Sequence, residues 1–301
     1  MEQPVVDVTD LSRSFEHKKA LNGVSFRAIA GQVYGLVGSN GAGKTTLLKH
    51  LLGLLRATTG SVRVFGLDPV RDPVGVLSRV GYLSEEHELP EWMRVDELMR
   101  YTQAYHPTWD ATYARELLET FALDPSKKIK DLSKGMRAQA GLIAAVAHRP
   151  ELLILDEPSS GLDAVVRRDI LDAIVRAVAD DGRTVIFSSH LLDEVERMSD
   201  HVTLIHQGRV ALSGALDDVR GAYQRSRVHF LENLDQPPAL ETALAMEGGG
   251  RAWSVVHSGS IERFRQSVSA RGGEVVESRD ATLEEIFLAR AGRGGSQAEA
   301  A

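Results

Sequence analysis

The run Gly38-Ser39-Asn40-Gly41-Ala42-Gly43-Lys44-Thr45 fits the pattern GxxxxGK[ST]. Such a loop wraps phosphates in backbone amides, because glycine has no Cβ to hold the anion away and a following helix N-terminus adds partial positive charge. In that chemistry Lys44 reaches the β- and γ-phosphates of a nucleoside triphosphate, with Thr46 next in the cradle. The Thr45 hydroxyl becomes a neutral ligand for Mg²⁺, which takes oxygen donors and keeps several waters. Further on, Leu152-Leu153-Ile154-Leu155-Asp156-Glu157 is an apolar run ending in two carboxylates. Adjacent acids can divide two tasks: Asp156 orients Mg²⁺ through its water shell, and Glu157 is the general base for the water that attacks the γ-phosphate.

A phosphate loop needs a strand before it and a helix after it. Val33–Val37 supplies the first and residues 46–55 the second. Short β-like runs alternate with helical patterns from Val5 to about Gly214, and 152–156, 184–188 and 202–205 are almost continuously apolar. Strands covered on both faces read this way, so the pattern predicts an α/β fold with a parallel centre. Between 89 and 147 the periodicity turns helical, with 95–105, 111–123 and 134–148 as candidate helices in an insertion between strands.

Composition shifts after Gly214, where Pro237, Pro238 and the run Gly248-Gly249-Gly250 mark a boundary or a linker. Strands at 228–231, 252–257 and 274–278 with helices at 261–271 and 283–289 predict a small α+β accessory domain. Leu283, Ile286 and Phe287 are spaced as the apolar face of a packed terminal helix. The expected organisation is a first domain over 1–214, an accessory domain over 215–290 and a disordered tail over 291–301.

With 301 residues, 43% hydrophobic and 26% charged, the chain can bury a substantial core, and its net charge of −7 argues against a surface built to neutralise nucleic-acid phosphates. The absence of cysteine excludes disulfides and cysteine zinc sites and is compatible with a reducing compartment. The N-terminus lacks the basic and apolar regions of a secretory signal, and no apolar run reaches the length of about 18 residues that spans a bilayer. A cytoplasmic protein is expected, with any membrane role exercised through a partner.

Leu132-Ser133-Lys134-Gly135-Met136 precedes the acidic strand, Ser160-Gly161-Leu162-Asp163 follows it, and Ser188-Ser189-His190 comes later. In this order the motifs resemble the ABC ATPase family over roughly residues 5–214: P-loop, signature motif, Walker B strand, D-loop and switch histidine. The resemblance implies a RecA-like P-loop NTPase core with an ABC helical subdomain, and ATP with Mg²⁺ as ligands. It also implies that Ser133 and Gly135 bind the γ-phosphate of ATP held by a second subunit, in a homodimer or a heterodimer. Asp163 would lie at that interface, and His190 would contact the γ-phosphate and position water. Phe15 stands where the family places an aromatic on adenine, an ordinary core position being the alternative. Glu85, in Gly81-Tyr82-Leu83-Ser84-Glu85, stands where glutamine is usual; it keeps an oxygen for the nucleotide's Mg²⁺ or water but adds charge beside Asp156 and Glu157. Lys134 and Met136 replace the usual glycine and glutamine, a variant that resembles the ABC-2 type export branch, as does the tail Glu277-Ser278-Arg279-Asp280-Ala281-Thr282-Leu283-Glu284-Glu285-Ile286-Phe287-Leu288. That branch implies a separately encoded membrane permease, contacted through residues 83–94, and a peripheral location on the cytoplasmic face of the membrane. Two rivals are a soluble family member acting on ribosomes or DNA, disfavoured by the single cassette without sustained heptads, and a regulatory subunit with little turnover, disfavoured by the complete catalytic set.

Overall fold

The computed structural model of the protein describes residues 3–16, 18–86 and 88–296. The chain divides into two compact units between Val210 and Ala211. In chain order the first unit begins with β1 (Val6–Phe15), β2 (Lys18–Ala28), β3 (Val33–Val37), α1 (Lys44–Leu51), β4 (Thr59–Val64), α2 (Pro73–Leu77) and β5 (Val80–Leu83). Three helices follow, α3 (Val95–Gln103), α4 (Ala111–Thr120) and α5 (Lys134–Val146). Then come β6 (Leu152–Asp156), α6 (Ala164–Asp181), β7 (Thr184–Ser189), α7 (Leu192–Met198), β8 (His201–His206) and β9 (Arg209–Ala215), the strand within which the division falls.

The main sheet has the order β5-β6-β7-β3-β8-β9, and the β5–β6, β6–β7, β7–β3 and β3–β8 pairs are all parallel. Every residue of β3, β6 and β7 is buried, and for β6 and β7 the almost continuous apolar runs predict this of strands covered on both faces. A second, antiparallel sheet of order β2-β1-β4 shares a core with α1, whose Leu47, Leu48 and Leu51 are fully buried against Val8, Leu21 and Val64. The helical insertion between β5 and β6 is present as α3, α4 and α5. Asp110 caps α4 by accepting the amides of Thr112 and Tyr113.

Helix α1 is shorter than its pattern over 46–55. Gly53 turns left-handed at φ 70°, and the amides of Leu54 and Leu55 bond back to the Lys49 carbonyl, which ends the helix. A Cβ on Gly53 would stand 2.2 Å from the Pro69 carbonyl oxygen, so glycine is required for packing as well as for φ.

The second unit contains α8 (Leu216–Gly221), β10 (Tyr223–Leu234), β11 (Ala243–Ser258), α9 (Ile261–Ser269), β12 (Gly273–Asp280) and α10 (Leu283–Ser296). Its antiparallel sheet β11-β10-β12 packs Val228, Phe230, Trp253 and Val255 against Phe264 and Val268 of α9. One expectation is corrected here. The run Gly248-Gly249-Gly250 lies inside β11, where Gly250 pairs with Leu234 beyond a register shift, rather than in a linker. The last helix runs to Ser296, and 297–301, part of the tail whose composition predicts disorder, lie outside the described residues.

Leu283 and Ile286 are buried on α10, and Thr282 and Glu285 form a reciprocal cap at its start. Glu285 also binds Arg225 and Arg279 at 2.5 and 2.6 Å. Burial pushes the Glu285 carboxyl up, but hydrogen bonds from Arg279, the Thr282 amide and Arg225 outweigh it and hold the group at about 2, against 4.5 for an ordinary glutamate. A depressed folded value gives stability that is present above pH 4.5 and lost as pH falls from there toward 2. Melting temperature should decline through that window, and Glu285→Gln should flatten part of the decline while lowering stability at neutral pH; parallel acid titrations of both proteins check this.

Candidate active site

Strand β3 delivers the chain into the phosphate loop. Gly41 sits at φ 77° and Gly43 at φ 117°, and a Cβ on Gly43 would meet the Ala20 carbonyl oxygen at 2.7 Å. The loop is therefore pinned against β2 by glycines that no other residue replaces without strain. Gly43 is the N-cap of α1 and contributes no side-chain hydrogen bond, so the first amides of the helix are left for an anion.

Lys44, only 6% exposed, donates to the Gly38 carbonyl at 2.6 Å, and its Nζ lies 3.0 Å from Glu157 Oε1, close enough for ion pairing although its aligned hydrogen bond goes to Gly38. The other oxygen of Glu157, Oε2, is 2.7 Å from His190 Nδ1 and accepts the His190 amide at 3.3 Å. Glu157 thus stands between the phosphate-loop lysine and the histidine. It is buried and left-handed at φ 49°, an uncommon conformation for a residue with a side chain, costing on the order of 1–3 kcal/mol. Its amide is held by Ser188 Oγ, whose own hydroxyl donates to Asp156 Oδ1 at 2.6 Å. Ser188, which the motif reading assigns no role of its own, therefore holds the Glu157 amide and the Asp156 carboxylate from the neighbouring strand.

A cleft of about 450 Å³ is lined by Phe15, Lys18, residues 39–46, Glu85 and Glu157. Phe15 is 43% exposed on its wall, which removes the core alternative. Thr45 and Glu85 also line a larger cleft with Asp156. These three oxygen donors match the chemistry of Mg²⁺, and no group of three or more His, Cys, Asp or Glu among the described residues is placed to hold a metal alone. A hard cation sharing its shell with phosphate and water needs no such cage. Burial pushes the Tyr82 phenol up to about 12, with the negative charges of Asp156 and Glu85 adding to the effect. Asp156 and Glu85 place carboxylates on that side of the site, which suits a cation.

The remaining predicted residues do not line the phosphate cleft. Ser133 is the exposed N-cap of α5 and accepts the Met136 amide at 3.2 Å, so its hydroxyl hydrogen stays available to an incoming anion. Gly135 is buried where a Cβ would press on Val166 at 3.0 Å. Asp163 caps α6 through the amides of Val165 and Val166. The Lys134 ammonium lies against Gly161, where a Cβ would come within 2.5 Å of it.

A phosphate loop between a buried parallel strand and a helix, faced by an acidic strand end, defines a P-loop nucleoside triphosphatase. Residues 21–160 match the ABC transporter family model. The chain is 32% identical to the daunorubicin resistance ATP-binding protein DrrA3 of Streptomyces coeruleorubidus over 96% of both proteins. It is 26% identical to the ABC transporter ATP-binding protein YtrB of Bacillus subtilis (strain 168), over 96% of this chain and 98% of the relative. A solved ATP-binding subunit of an ABC transporter superposes with a TM-score of 0.67 at 31% identity, covering 72% of this chain and 92% of that one. The chain belongs to the ABC transporter ATP-binding proteins and is an ATPase of that family.

Proposed function

We propose that this ATPase powers a separately encoded membrane permease of the ABC-2 export type by closing as a dimer around two ATP molecules. The observation that carries the catalytic part is the chain of contacts Lys44–Glu157–His190 beside the phosphate cleft. Nucleotide phosphates would compete with Glu157 for Lys44, since both are anions within reach of one ammonium. The carboxylate so released takes a proton from water positioned by His190, and the amides at the start of α1 hold the phosphates in line. Bound Mg²⁺ would neutralise phosphate charge, held by Thr45, Asp156 and Glu85.

Ser133 and Gly135 start a helix whose end is exposed, away from their own phosphate loop, and this supports a role toward a second subunit's ATP. Asp163 would lie at the same contact. Among the described residues no helix is long and apolar enough to cross a membrane, so coupling must be through contact. The larger cleft, about 840 Å³, joins exposed Val74, Leu77 and Tyr105 to Glu85, Glu86 and Glu88. It overlaps the first half of the expected contact over 83–94, through residues 83–86, Glu88 and Leu89, while His87 lies outside the described residues. An apolar coupling segment carrying a cation suits this lining. The 32%-identical resistance protein supports export.

Mixing two inactive variants tests the sandwich. Ser133→Arg and Lys44→Ala subunits should each be inactive alone, and their mixture should recover up to about a quarter of wild-type ATPase, because half the dimers are mixed and each holds one intact composite site. Activity is read with heterodimer formation measured by differential tagging. Mixed dimers without activity would refute action across the interface.

A further inference from the structure

Helix α7 carries a carboxylate that the assigned roles leave unused. Glu194 is 3% exposed, and its Oε2 accepts two serine hydroxyls, Ser159 Oγ at 2.7 Å and Ser189 Oγ at 3.0 Å. Both serines are themselves buried. Ser159 stands two residues after Glu157, on the loop that leads to Asp163. Ser189 immediately precedes His190, and its hydroxyl oxygen also accepts the Leu191 amide at 3.0 Å. The second oxygen of Glu194 lies 3.7 Å from Arg167 Nε on α6, and Arg167 in turn donates to the Leu162 carbonyl. One buried acid therefore ties the loop behind the base to the loop behind the histidine, and reaches the helix that Asp163 caps.

A buried carboxylate is costly unless it is hydrogen-bonded, and polar networks fixed this way have few alternative arrangements. We propose that Glu194 is a positioning residue: it holds the His190 loop in register with the Glu157–Asp163 loop, so that histidine and base meet at bonding distance and move together when the Asp163 loop is engaged. The proposal rests on the reading of Glu157 and His190 as the catalytic pair. Glu194 touches neither nucleotide nor water in this role; it acts through the two serines.

Single-turnover hydrolysis, with enzyme in excess so that slow variants remain measurable, tests it. Glu194→Ala should lower the chemical rate by about tenfold or more, because small misplacements of reacting groups carry penalties of that order, while the concentration of MgATP giving half-maximal rate stays within about threefold. Glu194→Gln should recover part of the loss, since its planar head still spans both serines. In a His190→Ala background the same Glu194→Ala change should cost less than about threefold, because the group it positions is gone. Should Glu194→Ala fail to fold, Ser159→Ala and Ser189→Ala each remove one bond and carry the same expectations. A loss that multiplies fully with His190→Ala, a rise in half-saturation with the chemical rate unchanged, or wild-type kinetics in all of these variants would overturn the proposal. Glu157→Gln run alongside separates the two readings. Undiminished turnover there refutes the catalytic pair itself, whereas lost turnover there with a fully multiplicative Glu194→Ala effect refutes only the positioning role.

Discussion

Glu157→Gln is expected to reduce ATP turnover by about a hundredfold or more, the usual contribution of a positioned general base, while binding nucleotide more tightly than the wild type. Both effects come from the same pair of contacts. The amide keeps the shape of the carboxylate and cannot take a proton from water. It also removes the anion that stands 3.0 Å from Lys44, so the ammonium no longer divides its attraction between Glu157 and phosphate. ADP affinity, measured by titration calorimetry, isolates the second effect, because ADP has no γ-phosphate to hydrolyse or to join two subunits. With ATP the variant should accumulate as a dimer by light scattering, since slow removal of the γ-phosphates prolongs the contacts that favour association. Near wild-type turnover would withdraw the base assignment. Unchanged ADP affinity would show that Lys44 and Glu157 do not compete with phosphate.

Lys44→Ala should weaken ATP binding by about 10- to 100-fold, the worth of a charged hydrogen bond of about 1.5–3 kcal/mol. It should also lower the melting temperature of the nucleotide-free protein, which a purely ligand-binding residue would not do. Glu157 and Lys44 are both buried, and truncating one partner leaves the other charge without compensation. The double variant Lys44→Ala/Glu157→Gln separates the consequences. Neutralising the stranded acid should restore most of the melting temperature and little of the affinity. If the double variant melts as low as Lys44→Ala, the ion pair carries no structural weight; if it regains ATP affinity, Lys44 is not the phosphate ligand.

The parallel core was legible because β6, β7 and β8 carry almost continuous apolar runs, a pattern that burial on both faces produces directly. The phosphate loop was legible because its glycines answer a local steric demand. What escaped the sequence depends on contacts distant along the chain. Ser188 reads as an ordinary strand residue, and only the pairing of β6 with β7 sets it against Asp156 and the Glu157 amide. Glu194 sits in Asp193-Glu194-Val195-Glu196-Arg197, which reads as the solvated face of a helix; its burial follows from how α7 meets the strand ends. The length of β11 was hidden because three glycines suggest a turn, whereas here the opposing strand β10 extends far enough for Leu234 to pair with Gly250.

The strand order has a consequence for how the site can be altered. The acid, the histidine and the phosphate loop leave the sheet from β6, β7 and β3, three strands lying side by side with β7 in the middle. Neighbouring strands are spaced at about 4.8 Å, so the loop and the acid are offset by about 10 Å, a gap that the extended arm of a lysine closes. Hydrogen-bonded strands act as a fixed gauge. A cation on a shorter stem could not pass from the cradle to the acid, and a side chain that grows in the buried middle strand must press on whatever packs over the face of the sheet. Tuning of this enzyme by substitution is thereby directed away from the strand tips and into the helices and loops that surround them.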